Sequence, residues 1–184
     1  MKYLLIILTI ILVSSCRKGS EDPVLSLRSR TNRLTGDWKL LLGKEERKNA
    51  NGNFINEYKE GLVYTGFNPS IRKCTWEFTF KKDGTFISDR KEYWDSLIYV
   101  FEKKTGKWNF LGKIGDWKNK EQILITINHV EQKSPLVGST YSIDIQNEGV
   151  IWQLMGLSNR RVHLFSEMKG VDDHEIKDYE LEPR

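Results

Sequence analysis

The stretch Thr75-Trp76-Glu77-Phe78-Thr79-Phe80-Lys81-Lys82-Asp83-Gly84-Thr85-Phe86-Ile87-Ser88 decides the fold class. Trp76, Phe78 and Phe80 fall on one face of an extended chain, and Thr75, Glu77 and Thr79 on the other. That period of two is what a half-buried strand requires. Residues 81–84 read as a turn, because an Asp-Gly pair tolerates positive φ, and residues 85–88 return as the partner strand.

Outward from this hairpin the same pattern continues. Residues 97–101 (LIYVF) read as a strand that Lys103-Lys104-Thr105-Gly106 turns into residues 107–111, with Trp108 and Phe110 on one face. Ile123, Ile125 and Ile127 alternate with Leu124 and Thr126, and Tyr141, Ile143 and Ile145 with Ser142 and Asp144. Asn147-Glu148-Gly149 predicts a turn into residues 150–155, and Ser158-Asn159 a turn into residues 161–168. With residues 36–42 as the first strand, the chain has about eight or nine strands and mostly short connections. That suits an antiparallel barrel or a two-sheet sandwich. Sequential hairpins favour closure, so the expectation is an all-β, up-and-down antiparallel barrel of about eight strands. Residues 43–73, rich in Asn and Gly, form a longer interval, read as a functional or partly structured loop in which residues 53–58 can make a further short strand.

The other end of the chain has a different character. After Met1-Lys2, residues 3–13 (YLLIILTIILV) carry no charge, and Val13-Ser14-Ser15-Cys16 follows. A charged start, a short apolar core and small residues form the layout of an export signal. The apolar run is shorter than the roughly 18 residues a membrane-spanning helix needs. The four residues ending at Cys16 resemble the bacterial lipobox, which implies cleavage before Cys16 and lipid on its sulfur. The expected organisation is a signal peptide over 1–15, a lipidated N-terminus and Ser- and Arg-rich tether over 16–33, a barrel over 34–170 and an acidic tail over 171–184. The tail is read as either a docked segment or a disordered one.

Charge and cysteine usage narrow the function classes. The chain carries 29 Lys and Arg against 25 Asp and Glu, a net charge of +4, and two cysteines. With Cys16 assigned to lipid, only Cys74 remains, so no intrachain disulfide is expected. Cys74 reads as a small buried hydrophobe. Basic and acidic residues interleave, as in Lys44-Glu45-Glu46-Arg47-Lys48. This is the pattern of solvated surface, and with export it argues against nucleic acid as a partner. His129, His163 and His174 are scattered and no metal-ligand spacing occurs. No nucleophile elbow, phosphate-binding glycine loop or zinc-protease helix is present. The chain therefore does not read as an enzyme, and no cofactor is implied.

Three short motifs carry a family resemblance. Leu34-Thr35-Gly36-Asp37-Trp38-Lys39-Leu40 resembles the Gly-x-Trp opening of the lipocalin superfamily, and more closely that of small lipocalin-like lipoproteins of Bacteroidetes-type bacteria. Phe78-Thr79-Phe80-Lys81-Lys82-Asp83-Gly84-Thr85-Phe86 and Gly106-Lys107-Trp108-Asn109-Phe110 are similar to later strands of that group. The resemblance covers about residues 34–168. It implies that Trp38 closes one barrel end, with Arg160 or Arg161 stacked on it. The family's middle Thr-Asp-Tyr motif has no clear counterpart.

The aromatic residues of the strand patterns either fill the barrel or line a cavity for one small ligand. The residues expected to line such a cavity are Trp76, Phe78, Phe80, Trp108, Phe110, Tyr141 and His163, with residues 43–73 as a lid. The functional expectation is a cell-envelope lipoprotein, held by lipid on Cys16 to the outer membrane and facing the periplasm or the cell surface. It binds a small apolar or amphipathic ligand. The alternative is a solid barrel that recognises an envelope protein partner through its loops.

Overall fold

The computed structural model describes residues 29–66, 69–95, 97–111, 121–134 and 138–184; the expected signal peptide and Cys16 lie outside them. A short helix, α1 (Arg30–Leu34), precedes β1 (Gly36–Asn49), β2 (Gly52–Lys59), β3 (Leu62–Thr65), β4 (Ser70–Phe80) and β5 (Thr85–Trp94). The chain continues through β6 (Leu97–Leu111), β7 (Glu121–Ser134), β8 (Ser139–Leu157), β9 (Val162–Lys169) and β10 (Asp173–Pro183).

The hairpin at residues 75–88 forms as its alternation requires. Phe80 pairs with Phe86 and Phe78 with Ser88 across the β4–β5 ladder. The turn is held by Lys81 N donating to Thr85 O at 2.9 Å and Gly84 N donating to Lys81 O at 3.0 Å. Asp83 Oδ1 accepts from Thr85 N at 2.9 Å. Gly84 takes a φ of 81°, a conformation that costs a residue without a Cβ little.

The strands close into an antiparallel barrel in the order β1-β10-β9-β8-β7-β6-β5-β4-β3-β2. The all-β barrel class is as expected, but among the described residues it has ten strands, not about eight. Two of them come from the interval 43–73, where β2 covers the further short strand expected at residues 53–58 and β3 has no expected counterpart. β1 pairs directly with β4 over residues 36–39, then leaves it and pairs with β2 from Leu42 to Asn49. The β2–β3 hairpin fills the fork between them. Its two turn residues, Glu60 and Gly61, have φ of 54° and 73°, the positive values that match the right-handed twist of flanking strands. Cys74 N donates to Gly61 O at 2.7 Å and fixes the hairpin tip to β4. The barrel is therefore narrow where β1 meets β4 and wider where β2 and β3 intervene.

A third strand is the acidic tail, and the total stays at ten because two pairs of expected strands merge into the single strands β6 and β8. β10 pairs with β1 on one side and β9 on the other, so it closes the barrel and the boundary at residue 170 is corrected. Residues 43–73 are wall rather than lid. Two expected turns are also strand. Lys103-Lys104-Thr105-Gly106 lies inside β6, where the β6–β7 register shifts between Thr105 and Gly106. Residues 147–149 lie inside β8, which runs unbroken from Ser139 to Leu157.

The core lies at the narrow end. Leu34, Phe80, Ile123, Leu154, Leu157, Val162, Leu164 and Leu181 are all almost fully buried. Each such side chain contributes roughly 1.5–3 kcal/mol on burial. Although residues 16–33 read as a tether, residues 30–34 form α1, capped by Ser29 Oγ accepting from Asn32 N at 3.2 Å. The buried Arg33 donates through Nη1 to Leu157 O at 2.5 Å, and Arg30 pairs with Glu121. Trp38 Nε1 donates to Leu34 O at 2.8 Å, so helix and first strand seal this end together.

Candidate functional site

Above this core the wider part of the barrel encloses an open cavity of about 480 Å³. Its floor is aromatic and centred on Tyr179 of β10, whose ring lies 5.0 Å from Trp76 and 5.2 Å from Trp152. Phe78 stacks on Trp76 at 5.3 Å, and Tyr58 meets Trp76 edge-on at 5.2 Å. Strands β4, β8 and β10 present these rings because their inward positions recur at period two: Trp76 and Phe78, Trp152, Tyr179. Trp76 Nε1 donates to Ser88 Oγ at 2.8 Å, so the indole is fixed at both its edge and its face.

Charged groups form a belt immediately above the floor. Glu45 accepts from Tyr179 Oη at 2.5 Å on one oxygen and from Tyr58 Oη at 2.8 Å on the other. Burial raises the Glu45 pKa, but Arg90 and the two tyrosyl hydroxyls outweigh it and hold the carboxyl below the usual carboxylate range. Burial and the neighbouring Glu45 push the hydroxyls of Tyr58 and Tyr179 well above the ordinary phenol value. All three groups therefore keep one protonation state through neutral pH.

Arg90 of β5 sits at the centre of this belt. Its guanidinium lies 5.1 Å over the Trp76 ring, and Nη1 donates to Tyr58 Oη at 3.3 Å. Burial alone would lower its pKa, but Glu102, Tyr58, Glu45 and Glu92 together raise it. The carboxylates stand off at 3.5 Å for Glu102, 3.8 Å for Glu92 and 3.9 Å for Glu45. Glu92 is taken instead by Arg72 at 2.9 Å, and Glu102 by Lys104 at 3.0 Å. Nearer the rim, Lys177 pairs with Glu175 at 2.7 Å and Arg47 with Asp173 at 2.8 Å. This arrangement can hold a molecule with one apolar and one polar part. Glu45 is a poor general base, because both its oxygens are occupied and its lowered pKa gives it little affinity for a proton.

The expected lining residues divide into three groups. Trp76 and Phe78 line the cavity. Phe80 and Trp108 are buried in the core, and Phe110 packs against it. Their rings meet at 5.8 Å for Phe80 with Trp108 and 5.6 Å for Trp108 with Phe110, with Trp108 Nε1 donating to Lys81 O at 3.0 Å. Tyr141 and His163 are corrected. Tyr141 is exposed on β8 and donates to Gln132 Oε1 at 2.5 Å. His163 lies on the outer face of β9, where it meets Asp178 at 2.7 Å, because its inward neighbours in sequence are Val162 and Leu164.

Trp38 lies at the narrow end, but Arg160 and Arg161 do not join it. Both are exposed, and Arg161 pairs with Glu180 at 3.2 Å. The arginine buried at that end is Arg33 from α1, which sequence reading had placed in the tether. Glu45, Arg90, Glu102 and Tyr179 were also missed. Gly43, Glu45 and Arg47 share one face of β1 and pair with Tyr179, Lys177 and Glu175 of β10, but charged residues on both faces of that stretch leave no sequence signal for Glu45. Among the described residues no group of three or more His, Cys, Asp or Glu is placed to hold a metal ion.

The fold and site together define a closed antiparallel β-barrel with an internal, open-mouthed cavity. Compared with protein-family models, with curated proteins and with solved structures, the chain matches none.

Proposed function

We propose that this chain is a lipid-anchored cell-envelope protein of lipocalin-like type whose barrel holds a small amphipathic ligand. One observation carries the ligand: the cavity of about 480 Å³ joins an aromatic floor to a charged belt. That volume falls in the roughly 300–1,000 Å³ range of small-molecule sites. The apolar part of the ligand lies against Trp76, Phe78 and Trp152, and its polar part meets the belt around Arg90. The up-and-down strand order and Trp38 at the closed end support the lipocalin-like reading. The signal pattern ending at Cys16 supports the anchor and an outer-membrane location.

Native mass spectrometry of the full chain purified from its own envelope tests the proposal. The expected result is a retained small molecule of constant mass. A stoichiometric protein partner with an empty cavity would favour the second reading, an interaction module. That reading draws support from β8, whose residues 139–144 and 148–152 pair with β7 on one side while, among the described residues, pairing with β9 begins only at Gln153. Such an unpaired edge, with Tyr141, Ile143 and Ile151 exposed along it, is a template for another chain.

A further inference from the structure

The charges of the cavity wall are balanced by sign. Its acidic residues are Glu45, Glu46, Glu102 and Glu175. Its basic residues are Arg47, Arg90, Lys104 and Lys177. The four of each sign are also matched locally. Lys104 holds Glu102 at 3.0 Å, Lys177 holds Glu175 at 2.7 Å, and Lys44 reaches Glu46 at 3.0 Å from outside the lining. Arg47 reaches Asp173 at 2.8 Å, and Arg90 lies among Glu45, Glu92 and Glu102. Adding Lys44 and Asp173, or the Arg72–Glu92 pair, leaves the balance at zero.

A head group with a net charge has no opposite charge waiting for it here. An anion beside Arg90 meets three carboxylates, and a cation beside Glu102 meets Lys104 and Arg90. Either must break an existing pair or stay uncompensated where water is partly excluded, and both are costly. Uncharged hydrogen-bonding groups fare better. The Arg90 guanidinium is already engaged, since its buried Nε faces Glu92 at 3.8 Å and Nη1 donates to Tyr58 Oη at 3.3 Å. Ser88 Oγ accepts from Trp76 and retains its own proton to donate, and the Asn56 amide also lines the wall.

Resting on the ligand-binding reading above, we infer that the cavity selects amphiphiles whose head carries no net charge and presents hydroxyl or ether oxygens, as a glycosyl or polyol head does. The oxygens take the Ser88 hydroxyl and the Asn56 amide, and the pairs of the belt stay intact.

Three probes with one octyl chain and different heads test this: octyl glucoside, octyl sulfate and octyltrimethylammonium. The full chain is held in phospholipid nanodiscs and each probe is titrated below its micelle-forming concentration. Tryptophan fluorescence is the readout, with empty discs as the partition blank. Octyl glucoside is expected to bind about tenfold more tightly than either ionic probe. Two rim variants check the cause. Lys177→Met leaves the wall with one excess negative charge and should raise affinity for octyltrimethylammonium about fivefold, and Glu175→Gln should do the same for octyl sulfate. An ionic probe binding the unaltered chain within about threefold of octyl glucoside overturns the inference, as do variants that leave the affinity of the matching ionic probe unchanged. Failure of all three probes to bind overturns the ligand-binding reading itself, and the inference with it.

Discussion

Glu45 is the residue on which floor and belt meet, since both its oxygens are held by tyrosyl hydroxyls and Arg90 lies beyond them. Its carboxyl is held below the ordinary value of 4.5. A carboxyl depressed in the folded state adds stability that is complete above its unfolded pKa and disappears as pH falls through the folded one. Glu45→Gln should therefore destabilise the protein by about 2 kcal/mol at neutral pH, from the loss of charge-assisted hydrogen bonds. In thermal melts from pH 7 downward, its deficit should shrink on the acid side of the carboxylate range. A deficit constant down to pH 3 would show that the charge of Glu45 plays no part. Cys74 gives a second expectation at this scale. Burial and the nearby Glu92 push its thiol up to about 12. The thiolate is thus scarce at pH 8, and iodoacetamide should label Cys74 only in denaturant, as read by peptide mass. Rapid labelling of the native protein would contradict the buried placement. Trp76 and Phe78 were legible as inward residues because apolar and polar positions alternate there. Glu45 was not, because in Lys44-Glu45-Glu46-Arg47-Lys48 both faces of the strand are charged and alternation leaves no trace.

The same masking governs what was legible among the elements. Strands that face the apolar core, such as β4 and β7, show period two openly, and their existence was expected. Residues 43–49, 102–106 and 173–178 line the charged half of the barrel, so their inward residues look like solvated surface and the segments read as loop, turn and tail. Gly106 reinforced the error, since Lys-Thr-Gly suggests a turn. In the structure it stands at the register shift of the β6–β7 ladder, where the two backbones come close and a Cβ would lie 1.9 Å from Thr126 O. Nothing but glycine fits without moving backbone. Gly106→Ala should cost about 3 kcal/mol or more, seen as a lower urea midpoint with an unchanged slope. A midpoint within error of the parent protein would mean that the two strands are not in such close contact. β10 invites a coarser test. It carries the buried Tyr179 and Leu181 and, among the described residues, alone joins β1 to β9. Ending the chain at residue 172 should leave two open edges and abolish the cooperative unfolding transition. Retention of a sharp transition would make the tail an appendage after all.

At the scale of the molecule, the two ends of the barrel do different work, and the chain enters at the closed one. α1 plugs the narrow end through Arg33 and Leu34, and the C-terminus lies nearby, where Arg184 N donates to Asp37 O at 3.1 Å. The cavity mouth lies at the opposite end, among Arg47, Glu175 and Lys177. Under the proposed anchor, residues 17–28 lead from Cys16 to this closed end, a reach of at most about 40 Å when fully extended. The tether then pulls on the sealed face and leaves the mouth free to meet ligand from the aqueous side. Under that proposal attachment would rest on lipid, since buried acyl chains contribute roughly 0.8 kcal/mol per CH₂ and two or more chains or signals are needed for stable binding. Among the described residues no helix is long and apolar enough to cross a membrane. Cys16→Ser should thus shift the exported chain from the membrane fraction to the soluble fraction while its cooperative melt stays as before, because Cys16 precedes every element of the barrel. A variant that stays with the membrane after a high-salt wash would remove the lipid anchor from the proposal and leave the cavity reading intact.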